Sequence, residues 1–110
     1  MEPDMVARRY LFATDFPGFS GHFPGYPILP AIVQLLTVVS LAKEHTGQPL
    51  RLASVEEAKF LTPVRPNEEL LVQYRIRTIG EKSLYAATLT VADKPAATFL
   101  LHLVNAEEEP

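Results

Sequence analysis

The chain has 110 residues, a length that suits one domain, and oligomerisation would add to the modest stability of so small a core. It contains no cysteine, which excludes a disulfide framework and thiolate metal sites and fits a reducing compartment such as a bacterial cytoplasm. Its formal net charge of -3 argues against nucleic-acid binding, for which a basic patch is typical.

The first residues and the longest apolar stretch give no sign of export or membrane insertion. Residues 1–10 lack a basic region followed by a long apolar run, so we expect neither a signal peptide nor a membrane anchor. Polar residues interrupt the apolar stretch over 31–42, which is also shorter than the roughly 20 residues of a membrane span. We expect a soluble, cytoplasmic protein with a single domain over 1–110, composed of an ordered core over about 5–104 and an acidic tail over 105–110.

The N-terminal half predicts a strand, a stiff loop and a helix, in that order. Residues 6–14 mix apolar and basic residues and predict the strand. Three glycines and four prolines set unusual or fixed backbone angles in the loop over 15–30. From residue 31 to about residue 45 nothing breaks a helix, Pro30 suits its first position and Gly47 is a natural stop.

The predicted helix is apolar almost all round. Plotted at about 100° per residue, its apolar side chains leave only a narrow polar stripe, made of Gln34, Thr37 and either Ser40 or Lys43. We expect other structure to wrap such a helix, because its apolar surface would otherwise face water.

Four segments after the helix supply that wrapping. They are rich in β-branched and apolar residues and cover 50–61, 69–79, 83–92 and 96–104. In 69–79, apolar residues alternate with polar or charged ones, as in an antiparallel strand with one face in water. Tight turns are predicted at 80–82 and 93–95, and the lack of a helix between the later strands disfavours a parallel sheet. The predicted fold class is α+β, an antiparallel sheet around one long helix.

Two blocks of the sequence carry a family resemblance. GHFPGYPILPAIVQLL over 21–36 resembles the loop and central helix of the hotdog-fold 3-hydroxyacyl-(acyl-carrier-protein) dehydratases, and AKFLTPVRPNEEL over 58–70 resembles the segment leading into their long strands. The ILP and VQL details and the short chain are similar to the dehydratases linked to aryl-polyene synthesis. The resemblance implies a hotdog fold and a dimer with two acyl-thioester sites at the subunit interface.

Dehydration of 3-hydroxyacyl thioesters, in fatty-acid or polyene-type lipid synthesis, is the activity that the resemblance implies. The reaction requires a base for the α-proton, hydrogen-bond donors for the thioester oxygen and an acid for the departing hydroxyl. His22 is the candidate base, because a neutral imidazole is available near pH 7 and a helix N-terminus favours that form. On the residues alone, the alternative for His22 is a structural role as a loop anchor bonded to the backbone.

The start of the helix supplies the donors. Because Pro30 has no N–H, the first free N–H groups are those of Ala31 and Ile32, which can hold a developing oxyanion. The resemblance gives this role to a glycine at the position of Ala31. The residues expected to line the substrate pocket are Phe23, Pro30, Gln34 and Leu36.

The acid that the family uses is absent. The resemblance places a Glu or Asp six positions after Pro30, where this sequence has Leu36, which cannot transfer a proton. Asp15 is a candidate replacement acid, with a turn-stabilising role as its alternative. Gln34 could orient a water or the substrate hydroxyl, with a hydrogen bond across a dimer interface as its alternative. The residues predicted to be surface charges are Glu44, Glu56 and Glu57.

Three functions therefore stay open. The chain is a dehydratase acting on thioesters of acyl carrier protein or coenzyme A, an incomplete acyl-binding subunit paired with a carboxylate-bearing sister subunit, or, ranked last, a hotdog thioesterase. The first two differ in predicting a homodimer or a heterodimer.

Charge and histidine placement bear on the partners. Without its terminal acids the chain has eight acidic residues against ten Lys and Arg, which suits an acidic carrier protein, although surface arginines also serve solubility alone. His45 suits the end of a helix and His102 has no acidic residue at metal-ligand spacing, so we expect no metal site. We also expect no cofactor and neither nucleic acid nor a membrane as a partner.

Overall fold

The fold is a five-stranded antiparallel sheet with one helix, seen in a computed structural model that describes residues 5–16 and 28–108. Its elements are β1 (Val6–Leu11), α1 (Ala31–Thr46), β2 (Leu50–Phe60), β3 (Glu69–Ile79), β4 (Lys82–Val91), β5 (Lys94–Asn105) and a closing 3-10 turn (Ala106–Glu108). The strand order is β1-β3-β4-β5-β2, and every neighbouring pair is antiparallel. The predicted α+β class is confirmed.

The core lies between α1 and one face of the sheet. Alternate residues of β3, among them Leu70, Val72 and Tyr74, are buried, and their partners across β4 are buried too. This confirms the alternation predicted for β3, because the apolar set faces the helix and the polar set faces away. Ile76 is the exception, since it borders a cavity at the C-terminal end of α1 and is partly exposed.

The helix begins one residue later than the sequence suggested. Pro30 is the N-cap, with an extended ψ of 151°, and the first helical residue is Ala31. The carbonyl of Pro30 accepts the N–H groups of Val33 and Gln34, both at 3.1 Å, which is how an N-cap carbonyl opens a helix. At the other end Gly47 has a φ of 70° and donates its N–H to the carbonyl of Lys43, which confirms it as the stop.

A single chain wraps only one side of α1. Ile32 and Leu36 are 57% and 49% exposed, whereas Gln34 and Thr37 are only 4% and 6% exposed. Gln34 and Thr37, two residues of the predicted polar stripe, therefore face the interior of the fold. Hydrogen bonds make this burial tolerable, because Gln34 donates to the carbonyl of Leu29 and Thr37 donates to the carbonyl of Gln34.

Two of the differences from the predicted boundaries have local reasons. β1 ends at Leu11, not at residue 14, because the next carbonyl, that of Phe12, accepts the N–H of Asn67 at 2.8 Å. The turn between β4 and β5 is formed by Ala92 and Asp93, at φ of 50° and 62°, one residue before the predicted 93–95. Two consecutive positive φ angles are typical of the tight hairpin turns that match strand twist.

Among the described residues, no helix has the length and apolar character that crossing a bilayer requires.

Tyr74 gives the core a measurable response to alkaline pH. Burial, with a smaller effect from neighbouring Tyr85, raises the pKa of Tyr74 to about 12. Folding thus favours the neutral phenol of Tyr74. Its contribution to the free energy of unfolding is complete below pH ~10, the ordinary tyrosine pKa, and is lost as the pH rises towards 12. Ultraviolet titration should show a late phenolate step that Tyr74→Phe removes. Simultaneous ionisation of all tyrosines near pH 10 in the folded protein would contradict this.

Candidate functional site

A cavity of about 470 Å³ lies at the start of α1. One wall is the end of the loop and the first helical turn, and the opposite wall is the end of β2 and the residues after it. The lining residues are Ile28, Leu29, Pro30, Ala31, Gln34, Phe60, Leu61, Thr62 and Pro63. Three of the predicted site residues, Pro30, Ala31 and Gln34, therefore share one mostly apolar cavity.

Backbone hydrogen bonds hold both walls in place. Leu29 donates its N–H to the carbonyl of Val64 at 2.7 Å, which ties the helix wall to the loop after β2. The N–H groups of Leu61 and Thr62 both donate to the carbonyl of Ala96, at 2.9 and 3.2 Å. The cavity thus lies between two segments that are each bonded to a further part of the fold.

The first backbone N–H groups of α1 are available for a ligand. The carbonyl of Pro30 accepts the N–H groups of Val33 and Gln34, while those of Ala31 and Ile32 find no acceptor among the described residues. Ala31 borders the cavity, whereas Ile32 is not among its lining residues. An electronegative atom bound beside Ala31 would meet a free donor and the positive end of the helix dipole.

Gln34 contributes the polar side chain of the helix wall. Its Nε2 donates to the carbonyl of Leu29 at 3.0 Å, and this contact fixes which end of the amide is the nitrogen, because a carbonyl requires a donor. The Oε1 atom is buried and has no hydrogen-bond partner within 5–16 and 28–108. One acceptor in the site region is therefore unsatisfied.

Leu36 belongs to a different cleft. It lines a space of about 250 Å³ between β1 and α1, together with Tyr10, Phe12, Val33, Thr37 and Ser40. Five residues of helix separate it from Ala31, which rotates the two side chains by about 140° around the axis. Within one chain, Leu36 and the start of α1 thus open onto separate spaces.

Tyr10, which was not identified as a site residue from the sequence, also lines the cleft that contains Leu36. Burial raises the pKa of Tyr10, against the opposing effect of the Arg8 guanidinium, which lies 5.6 Å from the ring centroid. Its hydroxyl has no partner in the described part of the chain. The alternation of β1 carried the signal, since Tyr10 lies opposite the buried Leu70.

Phe60, Leu61 and Thr62 were also missed as cavity residues. They lie in the AKFLTPV block whose family resemblance the sequence displays, so the signal was present. Only the fold brings that block against the start of the helix.

His22 and Phe23 lie outside the described residues, and their predicted roles stay predictions. The chain on both sides of that segment is bonded to the loop after β2. Asn67 donates its N–H to Phe12 and its Nδ2 to the Thr14 hydroxyl at 3.0 Å, and Leu29 donates to Val64. The described residues on either side of that segment are therefore both held by the loop after β2.

The other acids considered from the sequence do not line the cavity at the helix start. Glu44 forms an exposed ion pair with Arg8, and Asp15 is exposed in a turn. A hydrogen bond from Ser54, followed in size by the charge of Lys82, lowers the pKa of the exposed Glu56. Glu57 is exposed as well, and no group of three or more potential metal ligands occurs among the described residues.

Comparison with known proteins gives consistent family matches. A family model described as ApeI-like, ApeI dehydratase, matches residues 2–99. The 3-hydroxyacyl-(acyl-carrier-protein) dehydratase FabZ of Thermotoga neapolitana is 37% identical over 86 residues, covering 74% of this chain and 60% of that protein. FabZ of Hydrogenobaculum sp. is 32% identical over 105 residues, covering 84% and 70%. The chain thus spans 60 to 70% of the length of these relatives.

Solved structures confirm the hotdog fold. The dehydratase heterocomplex ApeI:P from Xenorhabdus doucetiae superposes with a TM-score of 0.80 at 23% identity, covering 96% of this chain and 93% of that chain. A thioesterase complexed with coenzyme A and Zn from Thermus thermophilus has a TM-score of 0.73 at 18% identity, covering 96% and 86%. At these identities the likeness concerns the fold.

A proline at residue 31 would remove the Ala31 N–H, which has no acceptor in the described part of the chain. Ala31→Pro should change the free energy of unfolding by less than about 1 kcal/mol, because proline is tolerated at the first helical position and the extended Pro30 suits a following proline. Ser40→Pro, at an exposed position in the middle of α1, should cost about 3 kcal/mol or more. Urea unfolding of both variants tests this. Equal losses would mean that the Ala31 N–H already has a structural partner.

Proposed function

We propose that this chain, which belongs to the ApeI-like family of dehydratases, binds acyl thioesters and takes part in dehydrating 3-hydroxyacyl groups. The observation that carries the proposal is the apolar cavity at the start of α1, where the Ala31 N–H has no acceptor among the described residues. We further propose acyl carrier protein or coenzyme A as the carrier, and the cytoplasm as the location, since the chain has no cysteine.

In the proposed reaction, His22 removes the α-proton of the thioester. The electron pair of that C–H bond moves towards the thioester oxygen, and the Ala31 N–H stabilises the resulting negative charge. When the carbonyl re-forms, the double bond forms between carbons 2 and 3 and the 3-hydroxyl departs. An acid must protonate that hydroxyl so that it leaves as water.

The position of Leu36 favours a site shared between two subunits. The carboxylate of the family would be at residue 36, which lines the cleft between β1 and α1 and not the cavity beside Ala31. A carboxylate there would therefore serve the His22 of a partner subunit. In this arrangement Leu36 disables the partner's site, while this chain's own His22 still needs an acid from elsewhere.

We therefore propose that the chain pairs with a related hotdog subunit that carries Glu or Asp at the equivalent helix position. Ile32 and Leu36 are exposed on α1, and β2 is an edge strand with exposed Val55 and Phe60. Exposed apolar residues beside an unpaired strand edge are suited to cover by another subunit. The Xenorhabdus doucetiae match is itself a dehydratase heterocomplex, which supports this form of assembly. Alone, the chain would be an incomplete acyl-binding subunit.

Restoring the carboxylate tests the proposed activity. The parent protein alone should hydrate trans-2-enoyl thioesters slowly, and Leu36→Glu should accelerate the reaction on the order of 100-fold, a typical contribution of an acid-base group. His22→Ala in the Leu36→Glu background should abolish the gain, and Ala31→Pro in that background should reduce it by about 100-fold or more. Loss of enoyl absorbance measures the rate. Faster hydrolysis of acyl thioesters than hydration of enoyl thioesters would instead indicate a thioesterase.

Subunit mixing tests the shared site. The parent has His22 and no carboxylate at residue 36, whereas the double variant His22→Ala, Leu36→Glu has that carboxylate and no base at residue 22. Each should be nearly inactive alone, and a mixture that has exchanged subunits should recover activity, because the mixed dimer contains one complete site. A mixture with His22→Ala alone is the matched control. If the mixture stays inactive while the single variant Leu36→Glu is active, the two groups act within one chain.

A further inference from the structure

Gln34 has a hydrogen-bonding capacity that the fold does not use. The side chain is 4% exposed and lines the cavity at the helix start. Its Nε2 anchors the carbonyl of Leu29, but its Oε1 is buried without a partner among the described residues. The anchoring role accounts for one end of the amide only.

The rest of the cavity makes a single acceptor informative. Ile28, Leu29, Phe60 and Leu61 provide apolar walls, and apolar binding sites use a few placed polar groups to orient their ligands. Thr37, the other buried polar residue of α1, is satisfied, because its hydroxyl donates to the carbonyl of Gln34. The unsatisfied acceptor is therefore particular to the residue that lines the cavity.

Resting on the proposed function, we infer that Gln34 Oε1 accepts a hydrogen bond from the 3-hydroxyl of the bound 3-hydroxyacyl group. Gln34 follows Ala31 by three residues, so the two are neighbours on the helix surface, with Cβ atoms about 5–6 Å apart. A thioester oxygen held by the Ala31 N–H has the 3-hydroxyl two carbons further along the acyl chain. Along one helix turn, the Ala31 N–H donor is thus followed by the Gln34 Oε1 acceptor. Along the substrate, the thioester oxygen, an acceptor, is likewise followed by the 3-hydroxyl, a donor.

This makes Gln34 a specificity residue for the hydroxylated substrate. A site with a buried acceptor disfavours an analogue that lacks the donor, because the acceptor stays unpaired in that complex. The enoyl product and saturated acyl groups lack the 3-hydroxyl. They are therefore held less tightly than the 3-hydroxyacyl substrate.

The test measures binding separately from turnover. Pantetheine amides replace thioesters, because the α-proton of an amide is too weakly acidic for dehydration. Titration calorimetry compares 3-hydroxyacyl, 3-fluoroacyl and saturated acyl amides of medium and long chain length. The parent should bind the 3-hydroxyacyl amide about tenfold more tightly than the other two, a size typical of one buried hydrogen bond. The 3-fluoro group occupies a similar volume and has no hydrogen to donate.

Variants locate the preference in the side chain. Gln34→Met, close in size and without the acceptor, should remove the preference, so that the three amides bind this variant equally well. Gln34→Glu, which keeps an acceptor oxygen, should retain a preference for the hydroxyl. Gln73→Met makes the same change on β3 outside the cavity and should leave all three affinities as in the parent. Thermal unfolding checks that each variant is folded, and the ligand comparison in the parent needs no variant.

The outcomes separate this inference from the proposed function. If no amide of any chain length binds the parent, both the acyl-binding function and the inference are wrong. If the three amides bind equally well, the acyl site stands and the role of Gln34 is wrong. If Gln34→Met weakens all three by the same factor, the preference for the hydroxyl does not come from Oε1, and the inference is likewise overturned.

Discussion

The doubly bonded Leu29 is the constraint on which the site depends. Its N–H donates to Val64 and its carbonyl accepts Gln34 Nε2, so the residue just before the helix cap is bonded on two sides. The first bond sets the distance between the helix start and the loop after β2. The second holds the Gln34 amide against the first turn. Without them the cavity would lack a fixed wall, because Pro30 has no N–H and the Ala31 N–H has no acceptor within the described residues.

A second constraint is the unusual distribution of polarity around α1. Two polar residues, Gln34 and Thr37, are buried, and two apolar ones, Ile32 and Leu36, are exposed. Full burial of an Ile or Leu side chain is worth about 1.5–3 kcal/mol, so covering the exposed pair would stabilise an assembly appreciably. The buried pair does not oppose this, since each of the two side chains makes a hydrogen bond to the backbone. The face of α1 towards its own sheet is thus covered, whereas the opposite face exposes apolar side chains.

Much of the fold follows from local sequence signals, and the differences have physical reasons. The helix was predictable because Pro30 and Gly47 bracket an unbroken apolar run, and β3 because its apolar residues alternate. The β4–β5 turn was misplaced by one residue because Ala92 and Asp93 take positive φ angles without a glycine to mark them. A helical pattern shows which side chains share a face, but not which face meets the sheet. The helical pattern alone therefore did not fix the inward orientation of Gln34, although Gln34 was among the residues expected to line the substrate pocket.

The candidate site divides in the same way between local and long-range information. The Ala31 N–H follows from the proline before it, and the 140° between residues 31 and 36 follows from helix geometry. The wall formed by Phe60 to Pro63 required the fold, because it comes from a segment about thirty residues further along the chain. The role of His22 stays a prediction, since that residue lies outside the described part of the chain.

In a dimer, Leu36 would stabilise the subunit contact, although it cannot supply the acid of the proposed reaction. A carboxylate covered by another subunit must be hydrogen-bonded or paired, because an uncompensated buried charge is strongly destabilising. A leucine at the same place gains from being covered. If only one of the two sites in a dimer is required, replacing one carboxylate by leucine stabilises the contact and leaves the other site its acid. For the proposed dehydration, leucine at this position requires a sister subunit in place of a second copy of this chain, because a homodimer would contain His22 twice and no carboxylate at residue 36. Under the proposed function, a leucine in place of the acid is thus compatible with His22 as the base, the Ala31 N–H as the oxyanion donor and the cavity at the start of α1 as the acyl site.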